Sequence, residues 1–131
     1  MARTEDSPPP FVKFKSGRVD PTEVAYRMTL DLVSLVHTIL EQTDARFHLK
    51  DKLDRATTAV TMEIARANVE VRAARWGHYR RIVDQLAEVV ASLDIIDRQK
   101  ATKRTTELAE ARTLAKKLGI ALRPLARLGT D

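Results

Sequence analysis

Cysteine is absent from this chain. Disulfides, thiolate metal sites and cysteine nucleophiles are excluded at once, and the absence suits a reducing cytoplasm. Glycine is scarce, four in 131 residues, and aromatics are only 5%, which argues against a sheet protein. No long uncharged apolar run exists, so no segment is expected to span a membrane. The N-terminus carries Glu5, Asp6 and the run Pro8-Pro9-Pro10 instead of the apolar stretch of a signal peptide. There is no phosphate-binding glycine loop, no dinucleotide turn and no nucleophile elbow. A cytoplasmic protein without a membrane segment is the expectation.

What is present is one apolar spacing, three residues then four, in four stretches. It runs through Ala25, Met28, Leu32, Leu35 and Ile39, and returns in Leu49, Leu53, Ala56, Val60, Ile64, Ala67, Val71 and Ala74. A third run is Tyr79, Ile82, Leu86, Val89, Leu93 and Ile96. The last is Leu108, Ala111, Ala115, Leu118, Leu122 and Leu125. That spacing places apolar residues on one face of an α-helix. Four such faces predict an all-α, antiparallel up-down four-helix bundle in residues 20–131. Residues 1–19 read as an extended proline-rich arm. Its segment Phe11-Val12-Lys13-Phe14-Lys15 either docks on a neighbour or on its own bundle, or forms a disordered tail.

The boundaries follow from local signals. Asp20 is a good N-cap, Pro21 takes the first helical position and Glu23 the capping-box position, so helix 1 runs to about Gln42. It carries a second apolar row, Tyr26, Leu30, Val33, His37 and Leu40, which calls for a second neighbour or a second subunit. Helix 2 is expected from about Phe47 to Arg75, with a turn at Trp76-Gly77. Helix 3 is expected over His78–Asp97. Helix 4 should begin near residues 100–102 and reach about Arg123, with a kink or an end at Pro124.

The residues for catalysis are missing. A di-iron bundle needs Glu-x-x-His pairs, and none of His37, His48 and His78 has a glutamate three positions earlier. Asp94 with Asp97 and Asp84 with Glu88 share helix faces, where carboxylates serve as partners for Arg and Lys. No catalytic residue, metal or cofactor is expected, and the protein is read as a non-enzyme.

Charge supplies the positive signal. The net charge is +5 and the isoelectric point about 9.8, which favours an acidic partner. Arg66, Arg72, Arg75, Arg80 and Arg81 crowd the end of helix 2 and the start of helix 3, with Trp76 and Tyr79 among them. Guanidinium groups neutralise phosphates and aromatic rings stack on bases. A second basic set lies on helix 4: Lys100, Lys103, Arg104, Arg112, Lys116, Lys117, Arg123 and Arg127. The competing reading is a solvated face paired with nearby acids such as Glu63 and Glu70.

The stretch Leu49-Lys50-Asp51-Lys52-Leu53-Asp54-Arg55-Ala56-Thr57-Thr58-Ala59-Val60 resembles the second helix of the bacterial four-helix-bundle proteins encoded by 23S rRNA intervening sequences. Leu53, Arg55 and Ala56 match that pattern directly, with Val60 at its apolar position. Leu86-Ala87-Glu88 matches the stretch on helix 3. Glu63-Ile64-Ala65-Arg66-Ala67 keeps only the Ile-Ala of Asn-Ile-Ala-Glu-Gly. The layout, over about residues 22–127, is similar also to the accessory variability proteins of diversity-generating retroelements. The resemblance implies a bundle that assembles into a ring, typically a pentamer, with no enzymatic activity and with RNA or DNA and a reverse transcriptase as partners. It adds Arg55 to the nucleic-acid-binding candidates. Phe11 and Phe14 join the outer row of helix 1 as subunit-interface candidates. The alternative is a protein-interaction scaffold with no nucleic-acid role.

Overall fold

The computed structural model describes residues 20–70 and 74–127. Four helices account for most of them: α1 Pro21–Glu41, α2 Phe47–Val69, α3 Trp76–Arg98 and α4 Thr105–Arg127. Each packs on its sequence neighbours and α4 closes back on α1, so the order around the bundle is that of the chain, up-down-up-down. Phe11 and Phe14 lie outside the described residues.

The core is built from one row per helix. Ala25, Leu32, Val36 and Ile39 come from α1, and Leu53, Ala56, Val60, Ile64 and Ala67 from α2. The α3 row is Tyr79, Ile82, Leu86, Val89, Leu93 and Ile96. The α4 row is Leu108, Ala111, Ala115, Leu118, Leu122 and Ala126. Alanines on α2 and α4 interleave with the larger Leu and Ile, the alternation that lets helices pack at close axial distance. Each fully buried Leu or Ile contributes about 1.5–3 kcal/mol. Two buried threonine hydroxyls are satisfied within their own helices. Thr29 donates to the Ala25 carbonyl at 2.7 Å and Thr57 to the Leu53 carbonyl at 2.7 Å.

Both ends of the bundle are tied. At one, the α1–α2 and α3–α4 connections pair: the Asp44 N–H donates to the Ala101 carbonyl at 2.7 Å, and the Thr102 hydroxyl donates to the Gln42 carbonyl at 3.1 Å. Here α3 terminates in a Schellman arrangement. The Ala101 N–H bonds the Ile96 carbonyl and the Lys100 N–H the Asp97 carbonyl, with Lys100 at φ 52°. At the other end, Asp20 starts α1. Its carboxylate accepts from the Thr22 N–H at 2.9 Å and its carbonyl takes the N–H groups of Glu23 and Val24.

Two boundaries differ from the sequence reading. Helix α2 stops at Val69, six residues before Arg75, and α3 begins at Trp76 with Gly77 inside its first turn. The cause is Arg75. Its guanidinium turns into the end of the bundle and binds Asp20 of α1, and it also takes the backbone carbonyls of Glu70 and Asn68. Helix α4 continues through Pro124 to Arg127. Pro124 lacks the N–H that would bond the carbonyl of Ile120, a residue on the exposed side of the helix.

Candidate nucleic-acid interface

Antiparallel packing brings the α2–α3 arginines to the same end as Lys116, Lys117, Arg123 and Arg127, while Lys100, Lys103, Arg104 and Arg112 of the helix-4 basic set lie toward the opposite end. The α2–α3 turn, the start of α1 and the end of α4 share one pole. From Lys116 to Arg127, α4 carries four bases and no acid. In the half of the bundle toward that pole, residues 20–30, 60–70, 74–86 and 115–127, nine bases stand against five acids. The remaining described residues hold nine bases and ten acids. The excess positive charge of the described residues therefore lies toward one end.

Within that pole the arginines differ in what they touch. Arg75 is only 8% exposed and binds the Asp20 carboxylate at 2.6 Å and the Thr22 hydroxyl at 3.3 Å. Burial alone would lower its pKa; hydrogen bonds to Asp20 and to Tyr79, with their charges, outweigh that and raise it. Tyr79 is buried too, its hydroxyl 2.5 Å from that of Thr22. Both residues close the end of the bundle instead of facing solvent.

Glu63 of α2 is the hub of the second group. Its carboxylate bonds Nδ1 of His78, accepts from Arg81 at 2.9 and 3.1 Å, and meets Arg66 at 3.4 Å. Burial pushes the Glu63 pKa up, but the bonds from Arg81 and His78 prevail and hold it below the usual value. Three bases surround this single acid, because a carboxylate has lone pairs for several donors. Arg66 and Arg81 keep their outer surfaces in solvent. Arg80 pairs with no acid among the described residues; its guanidinium lies over the Trp76 ring, 5.8 Å from the centroid. Trp76 is 40% exposed.

The remaining candidates lie elsewhere. Arg55 projects from α2 in the opposite half and pairs with Asp51 at 3.0 Å. Arg72 is outside the described residues. On the outer row of α1, Tyr26 and Leu40 are half-buried, while Leu30 (43% exposed), Val33 and His37 face outward. His37 contacts Glu41 at 3.2 Å. Three of the four paired carboxylates read from sequence take basic partners: Asp94 and Asp97 both bind Arg112, and Glu88 meets Lys52. Among the described residues no group of three His, Asp or Glu could hold a metal, and no helix is long and apolar enough to cross a membrane.

Two features escaped the sequence reading. Asp20 doubles as helix cap and ion-pair partner, which only the fold reveals. A groove of about 500 Å³ runs between α3 and α4, lined by Val83, Ala87 and Val90 facing Ala115, Gly119 and Ile120. Gly119 and Ala115, one turn apart, were its only trace in the sequence. The chain matches no protein-family model, and no curated protein is detectably similar to it.

Proposed function

We propose that this protein is a non-enzymatic bundle that associates into a ring, as a pentamer by resemblance, and binds RNA or DNA through its arginine-rich pole. The observation that carries the reading is the convergence of the α4 terminus and the α2–α3 turn into one end with nine bases against five acids. Arg66, Arg80 and Arg81 are the contacts favoured on α2 and α3, since Arg75 and Tyr79 are engaged internally. Several copies in a ring would multiply the field and the avidity of weak phosphate contacts. The resemblance adds a role as accessory to a reverse transcriptase or a ribonucleoprotein in the bacterial cytoplasm.

Binding of this kind weakens steeply with salt, because neutralised phosphates release counterions. Gel-shift titration at 50 and 200 mM salt, with light scattering and the 260/280 nm absorbance ratio on the same purified peak, tests it. No binding at low salt overturns the nucleic-acid reading. A monomer at micromolar concentration overturns the ring.

The second reading is a protein-interaction scaffold. The α3–α4 groove favours it: its apolar residues, set among Asp84, Asp94, Lys116 and Arg123, are the kind of surface an amphipathic helix packs against. A protein partner that survives nuclease treatment, with no shift on nucleic acid, would decide for it.

A further inference from the structure

Resting on the nucleic-acid reading above, we infer that Trp76 and Arg80 form a stacking platform that selects single-stranded over duplex nucleic acid. Trp76 opens α3 at the α2–α3 turn, and its ring is 40% exposed where an apolar side chain has no core to fill. Arg80, one helical turn on, lies over that ring and has no acid partner among the described residues. Gly77 beside them leaves open space: a Cβ there would meet no atom within 4 Å. Arg81 and Arg66 stand at the same pole, and Glu63 is the acid they share.

Each part has a separate use. An indole offers a flat surface to any base, but only to a base already out of its stack. In a duplex both faces of every internal base are covered by neighbours. A guanidinium lying over the indole still has its N–H edge for a phosphate, in the forked geometry that suits that group. Tyr79, the adjacent aromatic, cannot take this role because it is buried. The selectivity therefore rests on one ring and one guanidinium, with the remaining arginines supplying charge that a duplex would satisfy equally well.

Trp76 is the only tryptophan in the chain, so intrinsic fluorescence reports this position alone. The full-length protein is titrated at low salt with a thymidine oligonucleotide and with a DNA hairpin of equal phosphate number. The expected result is saturable quenching by the single strand and weaker binding of the hairpin. With a labelled oligonucleotide followed by anisotropy, Trp76→Ala should weaken single-strand binding about tenfold or more, Trp76→Phe should recover most of it, and Arg80→Ala should weaken it as well. Circular dichroism confirms that the variants remain folded. Single-strand binding without a change in emission, wild-type affinity in Trp76→Ala, or equal affinity for the hairpin each overturns the platform while leaving the basic pole as a phosphate site. Failure of both probes to bind at low salt overturns the nucleic-acid reading itself.

Discussion

The guanidinium of Arg75 and the carboxylate of Asp20 lie 2.6 Å apart, joining the α2–α3 turn to the first residue of the bundle across 55 positions of chain. Both side chains are almost wholly removed from water. Taking one away strands the other charge, a loss of about 3–5 kcal/mol for a buried pair. Asp20 also caps α1, a contribution of about 1 kcal/mol. Arg75→Ala should therefore lower the urea midpoint severely, and Asp20→Ala at least as much. The double variant should lose less than the two losses added together. Additive losses would show that the pair is not coupled.

Two glutamates at the same pole give opposite pH dependence. Glu63 is held below the ordinary glutamate value of 4.5, against the pull of burial, by Arg81 and His78. Its contribution is fully present above pH 4.5 and is lost as the pH falls through the lowered folded value. Glu23 is raised above 4.5, first by burial and then by the charge of Asp20, with Arg75 opposing; its Oε2 has no hydrogen-bond partner among the described residues. Between 4.5 and that raised value the folded state keeps a proton that the unfolded chain gives up, so stability falls as the pH rises. Glu63→Gln should remove the acid-side loss and reduce stability at pH 7. Glu23→Gln should flatten the descent above pH 4.5 and raise stability at pH 7. Urea midpoints from pH 3 to pH 8 for the three proteins check both signs.

Lys100 follows the last turn of α3 at φ 52°, a left-handed conformation that costs a residue with a Cβ about 1–2 kcal/mol. Its side chain is exposed and makes none of the bonds that close the turn, which come from backbone N–H groups. Lys100→Gly should keep both bonds and raise the unfolding temperature, with a gain of about 1 kcal/mol. A lower unfolding temperature would mean that the lysine side chain contributes more than its strained backbone costs.

Helix rows are legible in sequence because each depends on local periodicity alone. All six α3 core positions, from Tyr79 to Ile96, are buried as the spacing requires, and Asp20-Pro21 marks the start of α1 through its own cap chemistry. The end of α2 was not legible. The apolar spacing runs on through Val71 and Ala74 among good helix formers, and Arg75, which ties the connection, acts through Asp20, 55 positions away in the chain. The candidate site divides in the same way. The crowding of arginines between Arg66 and Arg81 is visible in the sequence. That Arg66 and Arg81 share Glu63, that Arg75 faces inward and that α4 delivers Lys116 to Arg127 to the same pole are consequences of antiparallel packing.

In the proposed ring, the outer row of α1 is the face on which copies would meet. Leu30 and Val33 lie one turn apart, partly exposed, on a helix whose opposite side already fills the core with Leu32, Val36 and Ile39. A solitary exposed leucine is ordinary, but this pair continues into half-buried Tyr26 and Leu40 along the same face. In a ring these side chains would be covered by the next copy. Charge placed there would be desolvated in the ring and harmlessly hydrated in a monomer. Leu30→Glu with Val33→Glu should therefore convert the proposed ring to folded monomers, seen as a drop to the mass of one chain by light scattering with unchanged helicity. Affinity for a long oligonucleotide should fall by tenfold or more as avidity is lost, while affinity for a short one changes little. An unchanged mass would place the subunit interface elsewhere on the bundle.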